Sequence, residues 1–429
     1  MAKERIIVGI DSGSSKIATV VASLASEGAL TVIGVSTVAS KGIRKGQVVD
    51  IDEAVSAMSE SLEQAERMAG VSIGSAFVSV GGSHISSVNS RGVVAVAGGE
   101  NEIAEEDVQR VTEAARAISI PSSREIIHVI PREFVVDSQE GIKDPVGMTG
   151  VRLEVETHII SGATTSMRNL VKCIQQVGID VEGLVFSGVA SAESTLTDTE
   201  KELGVALVDI GGGTTDVAFF VDGSISHSVV IPIGGKNITN DLAIGLRSSL
   251  ETAEKIKVAL SDQSKKVYPK EESEDSESKH ERKDDTLDLS KIGITEDIGT
   301  VSKKTLLDGI IKPRLVEIFT LIGMEIKRSG FAGLLPAGIV ITGGSAKTYG
   351  IEAVGKEVLR MPTRVAEPSG VGGIIDEISS PEYSTAVGLL SYGEKVTETS
   401  FGLSLTIGKG FAAANLIKNL LRWLRSFLP

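Results

Sequence analysis

Hydrophobic residues at the start of the chain gather in short runs broken by glycine and serine. Arg5 to Asp11 predicts a strand, the following Gly/Ser stretch a tight turn, and Lys16 to Ser23 a second strand. A third, Leu30 to Ser36, follows the break at Glu27-Gly28, so the opening reads as a β-meander. The period then changes. Ala54, Met58, Leu62, Ala65 and Met68 recur at helical spacing and predict a helix over about Asp52 to Ala69. Phe77 to Val80 predicts another strand, ended by Gly81-Gly82.

Residues 84–161 carry strands at Gly92 to Ala97, Glu125 to Val136 and Val151 to Ile160, with a helix from about Glu105 to Ala117. The pattern fits either an inserted unit or part of one larger domain. A helix from Thr165 to Gln176, a strand from Gly183 to Phe186 and a helix from about Ser191 to Thr197 lead to the apolar strand Gly204 to Ile210. The opening then repeats in kind. Asp11-Ser12-Gly13-Ser14-Ser15-Lys16 has its counterpart in Asp209-Ile210-Gly211-Gly212-Gly213-Thr214-Thr215-Asp216, which implies two similar domains facing each other. Asp262 to Asp288, poor in apolar residues, reads as a flexible charged loop. Helices follow near Lys303 to Ser329, then the strand Ala337 to Thr342 ended by Gly343-Gly344, and a helix ending near Tyr392.

Bulk composition narrows the function classes. With 429 residues, 41% of them hydrophobic, the chain exceeds one ordinary core. A formal charge of −14 argues against a nucleic-acid binder, which neutralises phosphates with clustered Lys and Arg. The single cysteine, Cys173, forms no intramolecular disulfide, and the scattered histidines lack metal-site spacing. Met1 to Arg5 has no apolar signal-peptide core, and no apolar run is long enough to span a bilayer, so a cytoplasmic location is expected.

The two glycine turns carry the chemistry. Backbone N–H groups of Gly13, Gly211, Gly212 and Gly213 can converge on a phosphate because no Cβ blocks the approach. Ser14, Ser15, Thr214 and Thr215 add hydroxyl donors, and Lys16 a point charge. Asp11 and Asp209, at the strand ends, suit Mg²⁺, usually through water, and Asp216 can orient a water or stabilise its turn. A third apolar strand ends in Gly343-Gly344-Ser345, suited to let an adenine or ribose lie on bare backbone.

Asp11 to Lys16, Asp209 to Asp216 and Ile339 to Ala346 resemble the two phosphate motifs and the adenosine motif of the actin/Hsp70/sugar-kinase superfamily. Ala253-Glu254-Lys255-Ile256-Lys257 resembles its nucleoside-contacting helix, which makes Glu254 and Lys257 candidate ribose or adenine contacts. Val185 to Ala192, Glu202 to Val205, Ala337 to Gly344 and Tyr383 to Leu389 resemble the FtsA family of actin-like bacterial cell-division proteins, over nearly the whole chain. The resemblance implies an α/β, actin-like (ribonuclease H-like, duplicated) fold with ATP and Mg²⁺ in a cleft between two facing domains. It implies a first core at 1–83 and 162–196, an inserted subdomain at 84–161, and a second core at 197–230 and 303–392. A nucleoside-contacting subdomain follows at 231–302, with a linker at 393–409 and a membrane-targeting helix at 410–428. In one respect the chain departs from the superfamily. Ser187-Gly188 stands where many members carry Glu-Pro, whose glutamate positions the attacking water, so slow ATP turnover at most is expected.

At about 100° per residue, Leu416, Ile417, Leu420, Leu421, Trp423, Leu424, Phe427 and Leu428 share one arc. Lys418, Arg422 and Arg425 lie on the opposite, basic arc. Such a helix lies in the headgroup plane of an anionic membrane, its apolar face contributing several kcal/mol at ~25 cal/mol per Å². The resemblance further implies self-association, the FtsZ C-terminal peptide as partner near 231–302, and recruitment of downstream division proteins at the inner face of the cytoplasmic membrane. The competing readings are a sugar or acid kinase, a chaperone and a pilus-assembly ATPase. A kinase has no evident need for the tail, and a chaperone needs a substrate domain for which no chain remains.

Overall fold

The computed structural model describes residues 5–406 except 26–27, 98, 265–284, 288, 295, 297 and 299–300. Two sheets organise the chain. The first runs in the order Asp180–Phe186, Ser75–Val80, Arg5–Ser12, Lys16–Leu24, Leu30–Ala39, Gly372–Gly373. The expected meander forms its antiparallel half, and Ser75–Val80 joins Arg5–Ser12 in parallel. The second sheet runs Ser224–Ile231, Thr215–Val221, Val205–Ile210, Gly338–Thr342, Thr363–Val365. Its centre has the same construction, an antiparallel hairpin beside a parallel strand. The repeated motif is therefore the visible part of a repeated sheet.

Helix Ile51–Ala69 shows how sequence sets the packing. Asp50 caps it by accepting from the Glu53 amide at 3.0 Å, and Gly70 ends it in the left-handed region at φ 69°. Its buried stripe is mostly small, including Ala54, Ala57, Ser61 and Ala65, so the helix sits close to the sheet. A Cβ at Gly34 would come within 2.7 Å of Ala69 Cβ. The opposite face of the first sheet meets helix Ser384–Thr406, whose Ala386 and Leu389 press on Gly9.

That helix corrects two expectations. Residues 384–392 were assigned to the second core, yet Ala386, Val387, Leu389 and Leu390 are buried in the first, with Ile7, Val8 and Phe77. The helix also continues to Thr406, so most of the expected linker at 393–409 is helical. Upstream, the helix expected from Ser191 begins at Ser187 and ends at Thr195. A separate helix, Asp198–Leu203, starts at a capping box in which Thr197 and Glu200 bond reciprocally.

Residues 84–161 contain a four-stranded antiparallel sheet, in the order Ser86–Ala95, Arg152–Ala163, Arg124–Val136, Gln139–Ile142. Helix Glu105–Arg116 covers it around a separate core of Ile103, Val111, Phe134, Leu153 and Val155. This unit meets the edge strand Ser224–Ile231 of the second sheet through polar side chains. Ser87 Oγ donates to the Ser228 carbonyl at 2.7 Å, and Asn89 Nδ2 to the Ser226 carbonyl at 3.1 Å. His158 is wedged between Asn89 Oδ1 at 2.7 Å and Ser228 Oγ at 2.9 Å. Burial holds its imidazole neutral, with the pKa lowered to about 3.

Of the expected charged loop, the first residues belong to helix Leu250–Ser264, and Thr286–Leu287 pairs antiparallel with Val301–Ser302. The expected membrane residues Leu416 to Leu428 lie outside the described residues. Among the described residues, no helix is long and apolar enough to cross a membrane.

Candidate functional site

The two repeated turns meet. A Cβ at Gly212 would lie 2.7 Å from Ser15 Oγ, and one at Gly213 would lie 3.0 Å from Ser14 Oγ. Bare glycine backbone is what lets one domain's turn approach the other's. The turns line a cleft of about 390 Å³. Of the residues singled out in the sequence, Asp11, Gly13, Ser14, Ser15, Lys16, Asp209, Gly211, Gly212, Gly213, Thr214 and Asp216 line it. Glu254, Lys257, Gly343, Gly344 and Ser345 line it as well.

Thr215 does not. It is fully buried, and its hydroxyl donates to the Ile233 carbonyl at 2.9 Å. Strand alternation explains this correction, because Thr214 and Thr215 point to opposite faces once the second strand begins. Thr215 therefore closes the sheet instead of offering a donor.

Each turn is braced from outside. Gly211 N–H closes its own hairpin on the Thr214 carbonyl at 2.9 Å. The start of helix Gly235–Leu246 grips the same loop, with Gly235 N–H donating to the Gly211 carbonyl at 2.9 Å and Lys236 N–H to the Gly212 carbonyl at 2.8 Å. Ser345 Oγ donates to the Gly211 carbonyl at 2.9 Å. The third glycine turn is thus tied to the second. Gly343 holds φ 86° and ψ 168°, a region reserved for glycine.

Where the nucleoside contacts were expected, Glu254 and Lys257 form one unit. Lys257 Nζ donates to Glu254 Oε2 at 2.7 Å and to Thr239 Oγ1 at 3.0 Å. Thr239 Oγ1 donates to Glu254 Oε2 at 2.5 Å. Positions 254 and 257 are one helical turn apart, so both side chains face helix Gly235–Leu246 and the cleft.

Three carboxylates share the other end. Ser79 Oγ donates to Asp11 Oδ1 at 2.7 Å, while Ser191 Oγ at 2.5 Å and Thr385 Oγ1 at 3.0 Å donate to Asp209 Oδ2. Burial raises the pKa of Asp209 to about 6, and the neighbouring Asp11 charge adds to that. Burial, then repulsion from Asp209 and Asp11, pushes Asp216 well above the usual carboxylate range. Asp216 Oδ1 is buried without a hydrogen-bond partner.

Such crowding is relieved by a cation. Asp11 Oδ2 and Asp209 Oδ1 accept no hydrogen bond among the described residues. With one open oxygen each, Asp11 and Asp209 would suit Mg²⁺, which takes one or two carboxylates and completes its shell with water and phosphate oxygens.

Ser187, singled out as the departure from Glu-Pro, lines the cleft. Lys236, Glu382 and Thr385 also line it, brought there only by tertiary packing, although Thr385 lay in a segment matched for another reason. Nothing local marked Lys236 or Glu382.

Comparison with known proteins bears on this arrangement. The family described as "SHS2 domain inserted in FTSA" matches residues 82–161, and "Cell division protein FtsA" matches residues 206–388. The cell division protein FtsA of Pseudomonas aeruginosa is 39% identical, covering 98% of each chain. The chain belongs to the FtsA family of cell division proteins. FtsA of Bacillus subtilis is 38% identical over 91% of this chain and 84% of that one, and FtsA of Escherichia coli K12 is 35% identical over 98% of each. Solved structures agree on the fold. A chain of the PilM-PilN type IV pilus biogenesis complex superposes with a TM-score of 0.62 at 14% identity, covering 90% of this chain and 98% of that one. MreB5 of Spiroplasma citri, solved bound to ADP, gives 0.50 at 14% identity over 94% and 99%. This FtsA-family chain has the actin-like fold, and its cleft lies between the two repeated sheets.

Proposed function

We propose that this FtsA-family chain binds ATP with Mg²⁺ between its two domains and, as a self-associating scaffold, ties the FtsZ division ring to the inner face of the cytoplasmic membrane. The observation that carries the nucleotide reading is the meeting of both glycine turns and the Gly343-Gly344 turn on one cleft. Lys16, Ser14, Ser15 and Thr214 face the phosphates, Asp11 and Asp209 hold the metal, and Glu254, Lys257 and Ser345 lie toward the nucleoside. Bound Mg²⁺ supplies charge neutralisation for the phosphates. Turnover is slow at most, since Ser187 brings a hydroxyl where water positioning calls for a carboxylate.

Residues 410–428 anchor the protein through their apolar arc, and the FtsZ C-terminal peptide binds near 231–302. Later division proteins are recruited by the assembled scaffold. Clustering many weak anchors strengthens membrane attachment without any new contact.

Co-sedimentation with anionic liposomes tests both arms. The intact chain should pellet, more strongly with Mg-ATP, and a chain truncated after Thr406 should not. Trp423→Glu should release the intact chain. Equal pelleting of all three would reject the anchor and favour a soluble kinase or another actin-like assembly protein.

A further inference from the structure

Lys16, the cation the sequence places at the phosphate end, lines the cleft. Its ammonium lies 3.8 Å over the Tyr383 ring and 4.0 Å from Glu382, with no hydrogen-bond partner. Lys236 stands in a different position. Its backbone N–H is bonded to the second turn at the Gly212 carbonyl, and its Nζ reaches across to donate to the Ser14 carbonyl of the first turn at 2.6 Å. One residue thus bonds both phosphate turns, one from each domain.

Partial burial lowers the Lys236 pKa, Glu254 opposes this, and Arg44 and Lys257 add like charge that a bound anion would offset. The same lysine also lines a second opening, with Lys41, Arg44, Asp50 and Glu53, behind the hairpin whose Gly46 N–H donates to Ser14 Oγ at 2.9 Å. The ammonium is partly buried and rests on the Ser14 carbonyl alone among the described side-chain contacts. An ammonium has three donors, and a neutral carbonyl is a weaker partner than a phosphate oxygen.

We propose that Lys236 is a specificity residue for the terminal phosphate of a bound nucleoside triphosphate. This rests on the nucleotide reading of the same cleft. A triphosphate held between the two turns would present its last phosphate to the ammonium, whereas with a diphosphate the ammonium would stay on the Ser14 carbonyl. Lys236 thereby sets the preference for ATP over ADP and couples it to closure of the two domains.

The test uses the full chain with Mg²⁺, titrated with ADP and with a non-hydrolysable ATP analogue. Lys236→Gln should lose about tenfold in affinity for the triphosphate and less than about twofold for ADP, while Lys236→Arg keeps the wild-type ratio. Melting curves are recorded alongside, and Lys236→Met carries the same test if the glutamine variant is unfolded. Equal losses for both nucleotides, or no loss for either, would overturn the role of Lys236 alone. A wild-type chain that binds neither nucleotide would remove the nucleotide reading itself, and this proposal with it.

Discussion

Gly343 offers a sharp test because its neighbour serves as the control. An alanine Cβ at 343 would lie 2.2 Å from Asp209 Oδ1 and 2.7 Å from the Ile210 carbonyl oxygen. It would also sit at φ 86°, ψ 168°. Backbone strain of that kind costs about 1–3 kcal/mol, and overpacking adds about 1–3 kcal/mol more. For a domain of roughly 200 residues, Gly343→Ala should lower Tm by about 4–24 °C and displace Asp209. At Gly344 the nearest atom to an added Cβ is Glu382 Cβ at 3.7 Å, an ordinary contact. Gly344→Ala should therefore fold as the wild type does. It should still bind ATP about tenfold more weakly, because a methyl group would stand where the nucleoside rests. Differential scanning calorimetry and nucleotide titration of the pair separate the two effects. Gly343→Ala melting with the wild type, or Gly344→Ala binding ATP unchanged, would refute the reasoning for that position.

Two further outcomes follow from buried titratable groups. Asp209, with a pKa raised to about 6, stays neutral in the folded protein while its unfolded counterpart ionises, so its contribution falls as pH rises from about 4 to 6. In urea titrations of the metal-free protein, Asp209→Asn should match the wild type below pH 4 and exceed it by up to roughly 3 kcal/mol above pH 6. Lower stability of the variant at pH 8 would count against this. His158→Ala should cost about 2–4 kcal/mol at pH 8 by stranding Asn89 and Ser228 at the seam. Because His158 stays neutral down to about 3, the unfolded chain takes up a proton first as pH falls, so that deficit should shrink between pH 6.5 and 4.

The legible parts of this molecule were local. A strand that ends in Asp and turns on glycine is a feature of adjacent residues, so both glycine turns could be read from sequence, and so could the Gly343-Gly344 strand. The missed parts depend on partners far along the chain. Ser224–Ile231 reads Ser-Ile-Ser-His-Ser-Val-Val-Ile, too polar to announce a buried strand. Ser226 and Ser228 are nevertheless buried, because Asn89, Arg132 and His158 of the inserted unit supply their hydrogen bonds. The helix from Ser384 continues an apolar pattern that fits either domain, and its contacts with Gly9, Ile7 and Phe77 assign it to the first. Thr215 failed as a phosphate donor for a period-2 reason that the sequence did contain. Lys236 is one lysine among many until the fold sets it across from Ser14.

The central claim is that one nucleotide sits between the two domains with Mg²⁺. Isothermal titration of the full chain with ATP, with and without Mg²⁺, tests it most directly. One site per chain is expected, tighter with Mg²⁺, and weakened by Gly344→Ala at unchanged Tm. Absence of binding at millimolar ATP, or binding indifferent to both Mg²⁺ and Gly344→Ala, would contradict it.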